Sequence, residues 1–448
     1  MKGAVNMERQ ALPYIHDVSR CLATTIGEGG VAQAEIDALL PKAGEALVKL
    51  RTVYEDNSLP LLRLPERTDD IEECANALQG FVRGAETVYI LGTGGSSLGG
   101  QALVQLHGYR VPGVLPSSTP GTVFMDNLDG NTMAQYLRDC DLRQARFIVI
   151  SKSGGTPETI SQLIAIIEAL KEEGLEWNIG GHILGVSEPG SSDKNALRRL
   201  AERYAITVLD HDPNIGGRFS VLSNVGILPA LIMGLDVHAL RAGAHEVLQP
   251  ILDNVTPEAS APALGAVINH CLAQNHGHTA SVIMPYTDRL RLFSAWFGQL
   301  WAESLGKEGM GTAPIAAAGP VDQHSLFQLF NGGPKDKLVN FIMTRAAGKG
   351  PRIPDSYASD PLVGYLAGHT IGDLVDCEQR ASAETLAKNG RPVRIFSIDK
   401  LNEHSLGGLL MHFMLETIIT GHLMGVDPFD QPAVEDSKVL TREYLKTM

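Results

Sequence analysis

Short apolar runs recur along this chain at crossover spacing, each flanked by a stretch with helical periodicity, and that alternation limits what the chain can fold into. Val88-Tyr-Ile-Leu, Thr122-Val-Phe-Met, Arg146 to Ile150, His182-Ile-Leu-Gly-Val-Ser and Thr207-Val-Leu-Asp alternate with segments such as Glu158 to Glu173. Strands separated by that much helix-forming chain pair in parallel, with the helices covering the sheet. A second series follows: Ala280-Ser-Val-Ile-Met-Pro, Ala313-Pro-Ile-Ala-Ala, Leu338-Val-Asn-Phe-Ile-Met and Val393-Arg-Ile-Phe-Ser-Ile, after helical segments at Val237 to Ile251 and Ala261 to Gln274. The expected fold is α/β, with two doubly wound, flavodoxin-like parallel-sheet domains over about 75–240 and 241–425. Residues 1–74 read as an N-terminal helical cap, from helical periodicity between about 8 and 55 and again over Asp70 to Val82, broken by Pro60 and Pro65. A final helix, Leu406 to Met424, leads into a polar tail over 426–448. No low-complexity linker separates the halves, so a large interdomain contact containing a cleft is expected.

At 448 residues the chain is too long for one ordinary core. Lys+Arg of 37 against Asp+Glu of 51 leaves a net charge of −14, which repels nucleic acid and anionic membrane surfaces, so an anionic ligand has to be held locally. The five cysteines (Cys21, Cys74, Cys140, Cys271, Cys377) are widely spaced with no C-x-x-C pair, which argues for reduced thiols and a cytoplasmic setting, and against a zinc knuckle. Met1-Lys-Gly-Ala-Val-Asn-Met-Glu-Arg leads into no apolar core of a signal peptide, and the run Leu290 to Trp301, interrupted by Arg291 and Gln299, reads as a buried helix.

The stretch Phe147-Ile-Val-Ile-Ser-Lys-Ser-Gly-Gly-Thr-Pro-Glu-Thr159 runs from an apolar strand through a hydroxyl-rich turn into a helix. Ser151, Ser153 and Thr156 supply hydroxyls, the glycines let backbone N–H groups approach an anion, and Pro157 suits a first helical turn whose dipole is positive. It reads as a phosphate cradle, or else as a plain strand-turn-helix junction with Thr156 as N-cap. A second glycine turn, Gly92-Thr-Gly-Gly-Ser-Ser-Leu-Gly-Gly100, also follows a strand. It fails as a dinucleotide fingerprint because Ser97 stands where the third glycine belongs, and it lacks Gly-Lys-Ser/Thr spacing, although Asp126 after the next strand keeps a nucleotide reading open. Gly95 and Ser96 offer donors at the same sheet edge, and no acidic residue suits Mg²⁺ there, so a sugar phosphate fits better than a nucleoside triphosphate.

Six motifs in order carry a resemblance: Gly92-Thr-Gly-Gly-Ser-Ser-Leu-Gly, Ser151-Lys-Ser-Gly-Gly-Thr, Gly216-Gly-Arg-Phe-Ser-Val-Leu-Ser, Glu303-Ser-Leu-Gly-Lys, Asp322-Gln-His-Ser and Asp427-Pro-Phe-Asp-Gln-Pro-Ala-Val-Glu. From about 88 to 440 the chain resembles the glucose-6-phosphate isomerase (phosphoglucose isomerase) family, which has two sugar-isomerase-type domains. The resemblance implies interconversion of glucose 6-phosphate and fructose 6-phosphate through a cis-enediol, with no metal and no organic cofactor. It implies Glu303 as the base, His324 as the ring-opening histidine, Arg218 as the cation near the enediolate and Lys438 near the sugar ring oxygen. It also implies Gly95, Ser96, Ser151, Lys152, Ser153 and Thr156 at the phosphate, and Gln299 against the substrate. In this family the histidine reaches the site from the neighbouring subunit, so a homodimer is implied, with neither nucleic acid nor membrane as partner.

Glu303 closes a helix that is apolar nearly all round (Leu290, Phe293, Trp296, Phe297, Leu300), so burial of the carboxylate is expected. The paired glycines before Arg218 suggest close approach to a ligand. Bacterial relatives carry threonine where Gly155 stands, so one hydroxyl of the cradle is missing. A broader isomerase that also takes mannose 6-phosphate, and a sugar-phosphate sensor without chemistry, are the competing readings; the matching motifs around Glu303, His324 and Lys438 count against the sensor.

Overall fold

A computed structural model describes residues 12–114 and 120–448 and contains two five-stranded sheets. The strands are β1 (Ile15–Asp17), β2 (Thr87–Leu91), β3 (Gly121–Met125), β4 (Ala145–Ile150), β5 (Ile183–Ser187), β6 (Thr207–Asp210), β7 (Ala280–Pro285), β8 (Ala313–Ala316), β9 (Lys337–Thr344) and β10 (Val393–Ile398). The first sheet has the order β3-β2-β4-β5-β6 and is parallel throughout. The second, β8-β7-β9-β10-β1, repeats that winding and ends in an antiparallel edge strand. In each sheet the chain runs outward from its first parallel strand and then returns past it, so the order reverses between β2 and β4, and between β7 and β9.

Strand alternation explains why both faces of each sheet are covered. Phe147 and Val149 of β4 face helices Gly130–Asp139, Pro157–Glu172 and Ala196–Tyr204, while Ile148 and Ile150 face the opposite way. Val339 and Phe341 of β9 pack outward with Ala383 and Leu386 of helix Ile371–Lys388, and Leu338 and Ile342 pack inward. The two inward faces share one continuous core with helices Val237–Leu252, Ala261–Asn275, Arg291–Leu305 and Glu403–Met424. Helix Glu403–Met424 is long and apolar enough to cross a bilayer by length and composition, yet 94% of its most apolar window is buried inside the protein. Buried on nearly every side, it is the helix the rest of the core wraps. Its contact with helix Val237–Leu252 is backbone to backbone: a Cβ on Gly243 would stand 1.7 Å from the His404 carbonyl oxygen, and one on Gly407 would stand 1.7 Å from that of Leu240.

The N-terminal region differs from the expected all-helical cap. Residues 8–11 lie outside the described residues, but Ile15–Asp17 adds a strand to β10, and only from Gln33 to Glu55 does the helical periodicity become a long helix. A buried polar chain holds that strand. Tyr14 Oη is 2.7 Å from His412 Nδ1, His412 Nε2 is 2.8 Å from Glu416 Oε2, and Glu416 Oε1 accepts from Arg394 Nη1 and Asn269 Nδ2 at 2.7 Å each. An ionised carboxylate can only accept, so Nε2 of His412 carries the proton and Nδ1 accepts the tyrosine hydroxyl. Burial pushes the Glu416 carboxyl up, but Arg394 and His412 together hold it below its ordinary pKa.

This core sets two expectations for stability. Gly407→Ala forces a methyl into a helix-helix contact that has no room for it and should cost about 3 kcal/mol in the urea unfolding free energy; an unchanged midpoint would contradict the close contact. Burial also pushes His412 below its ordinary pKa, more strongly than Glu416 raises it. The unfolded chain then takes up the proton first as the pH falls, so stability present above roughly pH 6.5 is lost below it. The urea midpoint should therefore drop between pH 7.5 and about 5.5, less steeply in His412→Gln.

Candidate active site

Helix Leu98–Val104 follows β2, helix Arg291–Leu305 follows β7, and the two pack antiparallel. At one end a Cβ on Gly94 would stand 2.9 Å from Gln299 Nε2. At the other, Leu292 N donates to Gln105 Oε1 at 2.6 Å and Arg289 Nη1 donates to the Leu106 carbonyl at 2.5 Å. Because each helix runs back along its own sheet, the sheets lie head to tail. The amino edge of the second is level with the carboxyl edge of the first, so the last turn of Arg291–Leu305, with Glu303, stands beside the turns that follow β2 and β4.

Those turns flank the first sheet's point of order reversal. Ser151 Oγ and Thr156 Oγ1 are 3.0 Å apart, and Gly155 N donates to Ser153 Oγ at 3.3 Å. Thr156 spends its hydroxyl on Ser151, so helix Pro157–Glu172 starts with no side-chain cap and its orphan N–H groups remain open to an anion. Ser96 lies in the neighbouring turn Gly94–Ser96, half-buried. Gly154 has φ +63°, and a Cβ there would stand 1.7 Å from Asn195 Oδ1. At Gly155 nothing lies nearer than Ser153 O at 4.0 Å, so this position has room for a side chain. Lys152 turns elsewhere: its ammonium is 2.6 Å from the Pro213 carbonyl oxygen and 3.5 Å from Glu188 Oε1.

Arg218 is the knot of the site. Its side chain is 2% exposed and all five N–H donors are used. Nε donates to Ser304 Oγ (2.8 Å), Nη1 to Glu303 Oε2 (3.2 Å) and Gln431 Oε1 (2.7 Å), and Nη2 to the carbonyls of Pro428 (2.6 Å) and Asp430 (2.9 Å). Burial pulls the guanidinium below its ordinary pKa and Glu303 opposes that pull; from so high a starting value the group remains a cation. The tight contact here falls on Gly95: a Cβ on it would stand 2.2 Å from the Gly217 carbonyl carbon, so its missing side chain lets the arginine turn lie directly on the turn after β2, whereas Cβ atoms on Gly216 and Gly217 would meet nothing nearer than 3.7 and 3.6 Å.

The burial expected for Glu303 is only partial. Phe293, Trp296, Phe297, Leu300 and Trp301 take the core-facing side of the helix, and the Gln299–Glu303 side opens to solvent, leaving the carboxylate side chain 35% exposed. Gln299 Nε2 donates to Glu303 Oε1 at 3.1 Å, so each carboxylate oxygen has one neighbour. His324 is not in this group. It is exposed, beyond the carboxyl end of β8, while Glu303 ends a helix roughly 22 Å long that leads to the amino end of that strand. Asp322 shapes its turn by accepting from Ala318 N at 2.7 Å and Ser325 Oγ at 2.6 Å. Lys438 lies on the exposed helix Glu435–Thr447, after the Asp427–Gln431 segment that reaches Arg218. The sequence motifs contained Ser304, Lys307 and Gln431 without assigning them roles; a lysine just past Gly306, where the Glu303-bearing helix ends, was the available signal.

The sequence profile of the phosphoglucose isomerase family matches residues 79–448. The glucose-6-phosphate isomerase of Rubrobacter xylanophilus is 35% identical over 92% of this chain and 94% of its own length. The probable glucose-6-phosphate isomerase of Haloarcula marismortui is 32% identical over 96% of this chain and 94% of its own. Among solved structures, a hypothetical protein from Thermus thermophilus superposes with a TM-score of 0.83 at 30% identity, over 96% of this chain and 99% of that one. A glucose-6-phosphate isomerase from Chlamydia trachomatis shares the fold, with a TM-score of 0.77 at 23% identity over 93% and 87% of the two chains.

The two neighbouring glycines of the turn should behave oppositely. Gly154→Ala meets both a left-handed backbone and the Asn195 amide, and should weaken binding of inorganic phosphate by roughly tenfold or more, while Gly155→Thr should fold normally and bind at least as tightly. Calorimetric titration of both variants checks this, and equal effects would show that the turn is not the cradle.

Proposed function

The chain belongs to the phosphoglucose isomerase family, and on that premise we propose how its residues divide the work. The protein is an aldose-ketose isomerase that interconverts glucose 6-phosphate and fructose 6-phosphate. The observation that carries the assignment is a half-exposed carboxylate, Glu303, held between a buried arginine and a glutamine beside an uncapped helix N-terminus.

The reaction moves one proton between adjacent carbons. Ser96, Ser151, Ser153, Thr156 and the open N–H groups of the helix start hold the phosphate, with Gly95 seating its turn against Gly217 and Lys152 bracing the other turn through Pro213 and Glu188. With that end fixed, Glu303 takes the proton from C2 of the open-chain aldose, leaving a cis-enediolate with its charge on O1, and returns it to C1 as the hydroxyl proton passes from O2 to O1, which gives the ketose. Negative charge develops on the substrate oxygens beside Arg218, a fixed cation in a water-poor setting; its donors are all engaged, so its contribution is field rather than a new hydrogen bond. Gln299 orients Glu303 and contacts the substrate. His324 and Lys438 serve ring opening, the lysine near the ring oxygen.

His324 and Glu303 sit at opposite ends of the second sheet, and this separation supports a homodimer in which the histidine is supplied by the second copy. All five cysteines are free, which supports a reducing, cytoplasmic location.

Glu303→Gln should lower kcat by roughly 10³-fold with little change in KM for fructose 6-phosphate, in an assay coupled to glucose 6-phosphate oxidation. A folded variant with near wild-type turnover would remove Glu303 from the mechanism. Co-expressing Glu303→Gln with His324→Ala should regain about a quarter of wild-type activity, since half of randomly paired dimers are hybrids with one intact site. Activity no higher than the single variants would mean that His324 serves its own chain.

A further inference from the structure

We propose that Lys307 is a positioning residue for the isomerase reaction: its ammonium fastens the Asp427–Gln431 segment across Arg218, and that fastening keeps Glu303 free to transfer a proton. The inference rests on the catalytic reading of Glu303 and Arg218 given above.

Lys307 follows Gly306, which ends the Glu303-bearing helix, and its side chain is 11% exposed. The ammonium is 2.6 Å from Asp430 Oδ1 and also donates to the Asp427 carbonyl, so it grips the segment at both ends. Between those grips the segment is shaped from within and from below. Phe429 N donates to Asp427 Oδ1 at 2.9 Å, the Phe429 ring lies 5.4 Å from that of Phe219, and Pro428 packs over Gly421. The result is that Pro428 O, Asp430 O and Gln431 Oε1 all converge on the guanidinium.

These three acceptors occupy three of the five N–H donors of a buried cation. If the segment lifted, the donors would be left unpaired, and the nearest carboxylate is Glu303, already 3.2 Å from Nη1. An arginine with free donors beside a carboxylate closes into a bidentate fork, which would take both oxygens of the base and turn it away from the cleft. As built, the segment limits Arg218 to one contact with Glu303 through Oε2, and Oε1 stays with Gln299. Lys307 does this without touching Arg218 or Glu303. The phosphate cradle lies on the other sheet and is untouched, so loss of the lysine acts on proton transfer more than on substrate capture.

The test uses the full-length enzyme, with wild type, Lys307→Met, Lys307→Arg, Asp430→Asn and the Lys307→Met/Asp430→Asn double variant assayed side by side. Turnover of fructose 6-phosphate by wild type secures the underlying reading independently; a wild type without turnover overturns that reading and this proposal with it. Lys307→Met should lower kcat by about 10- to 100-fold with KM within about threefold of wild type, the size expected when a reacting group is misplaced by about an ångström. Asp430→Asn should lose less, Lys307→Arg should recover most of the loss, and the double variant should be no worse than Lys307→Met. Unchanged kcat in Lys307→Met, failure of arginine to rescue, or additive losses in the double variant would each overturn the proposal. If Lys307→Met does not fold, Asp430→Asn decides, and wild-type kcat in that variant counts against it.

Discussion

A buried guanidinium needs five acceptors, and no single segment of this chain could provide them for Arg218. Two come from the end of the helix after β7, the other three from the Asp427–Gln431 segment, and the arginine itself stands on a turn that lies against the turn after β2. Satisfying one cation therefore ties together the first sheet, the second sheet and the C-terminal segment. Leaving any of those donors unpaired in so buried a place would cost about 1–3 kcal/mol each. Arg394 plays a comparable part on the far side of the core, where it pairs with Glu416 at 2.7 Å and, through His412, fixes Tyr14 and the edge strand.

The head-to-tail arrangement of the sheets decides what each edge can do. Ligands of doubly wound sheets bind beyond the carboxyl ends of the strands, where order reverses. Here the first sheet supplies that edge, with its turns and uncapped helix, while the second contributes the opposite end of a helix, which brings a carboxylate to the same place. Two copies of one winding thus bring different parts to one place, a hydroxyl-rich turn and a carboxylate, because they meet inverted. The same inversion carries the loop after β8, with His324, away from the site in its own chain.

Much of this was legible in the sequence. Strands β2, β4, β5, β7, β9 and β10 stand out as apolar runs because they are covered on both faces, which leaves little polar alternation to blur them, while β3, β6 and β8 each keep exposed residues and were marked by their spacing. β1 did not, since three residues with an exposed Ile15, preceded by a tyrosine paired to His412, carry no periodicity; the strand exists through tertiary contacts. The hydroxyls of 151–156 and the motifs at 218, 303 and 431 pointed to the site, but not to its wiring. That Lys152 braces against Glu188, that Glu303 stays a third open to solvent, and that Gly217 meets Gly95 depend on how distant segments face one another, and local pattern holds no record of that.

The central claim is that a cleft-facing carboxylate moves a proton between neighbouring carbons of a substrate anchored at its phosphate. The most direct measurement is isomerisation of fructose 6-phosphate in deuterium oxide, followed by NMR of the recovered sugar phosphates. A base with a third of its side chain open to solvent exchanges its proton with water during the life of the enediolate, so the account predicts deuterium at C1 of fructose 6-phosphate and C2 of glucose 6-phosphate. Full retention of hydrogen at both positions after many turnovers would contradict it.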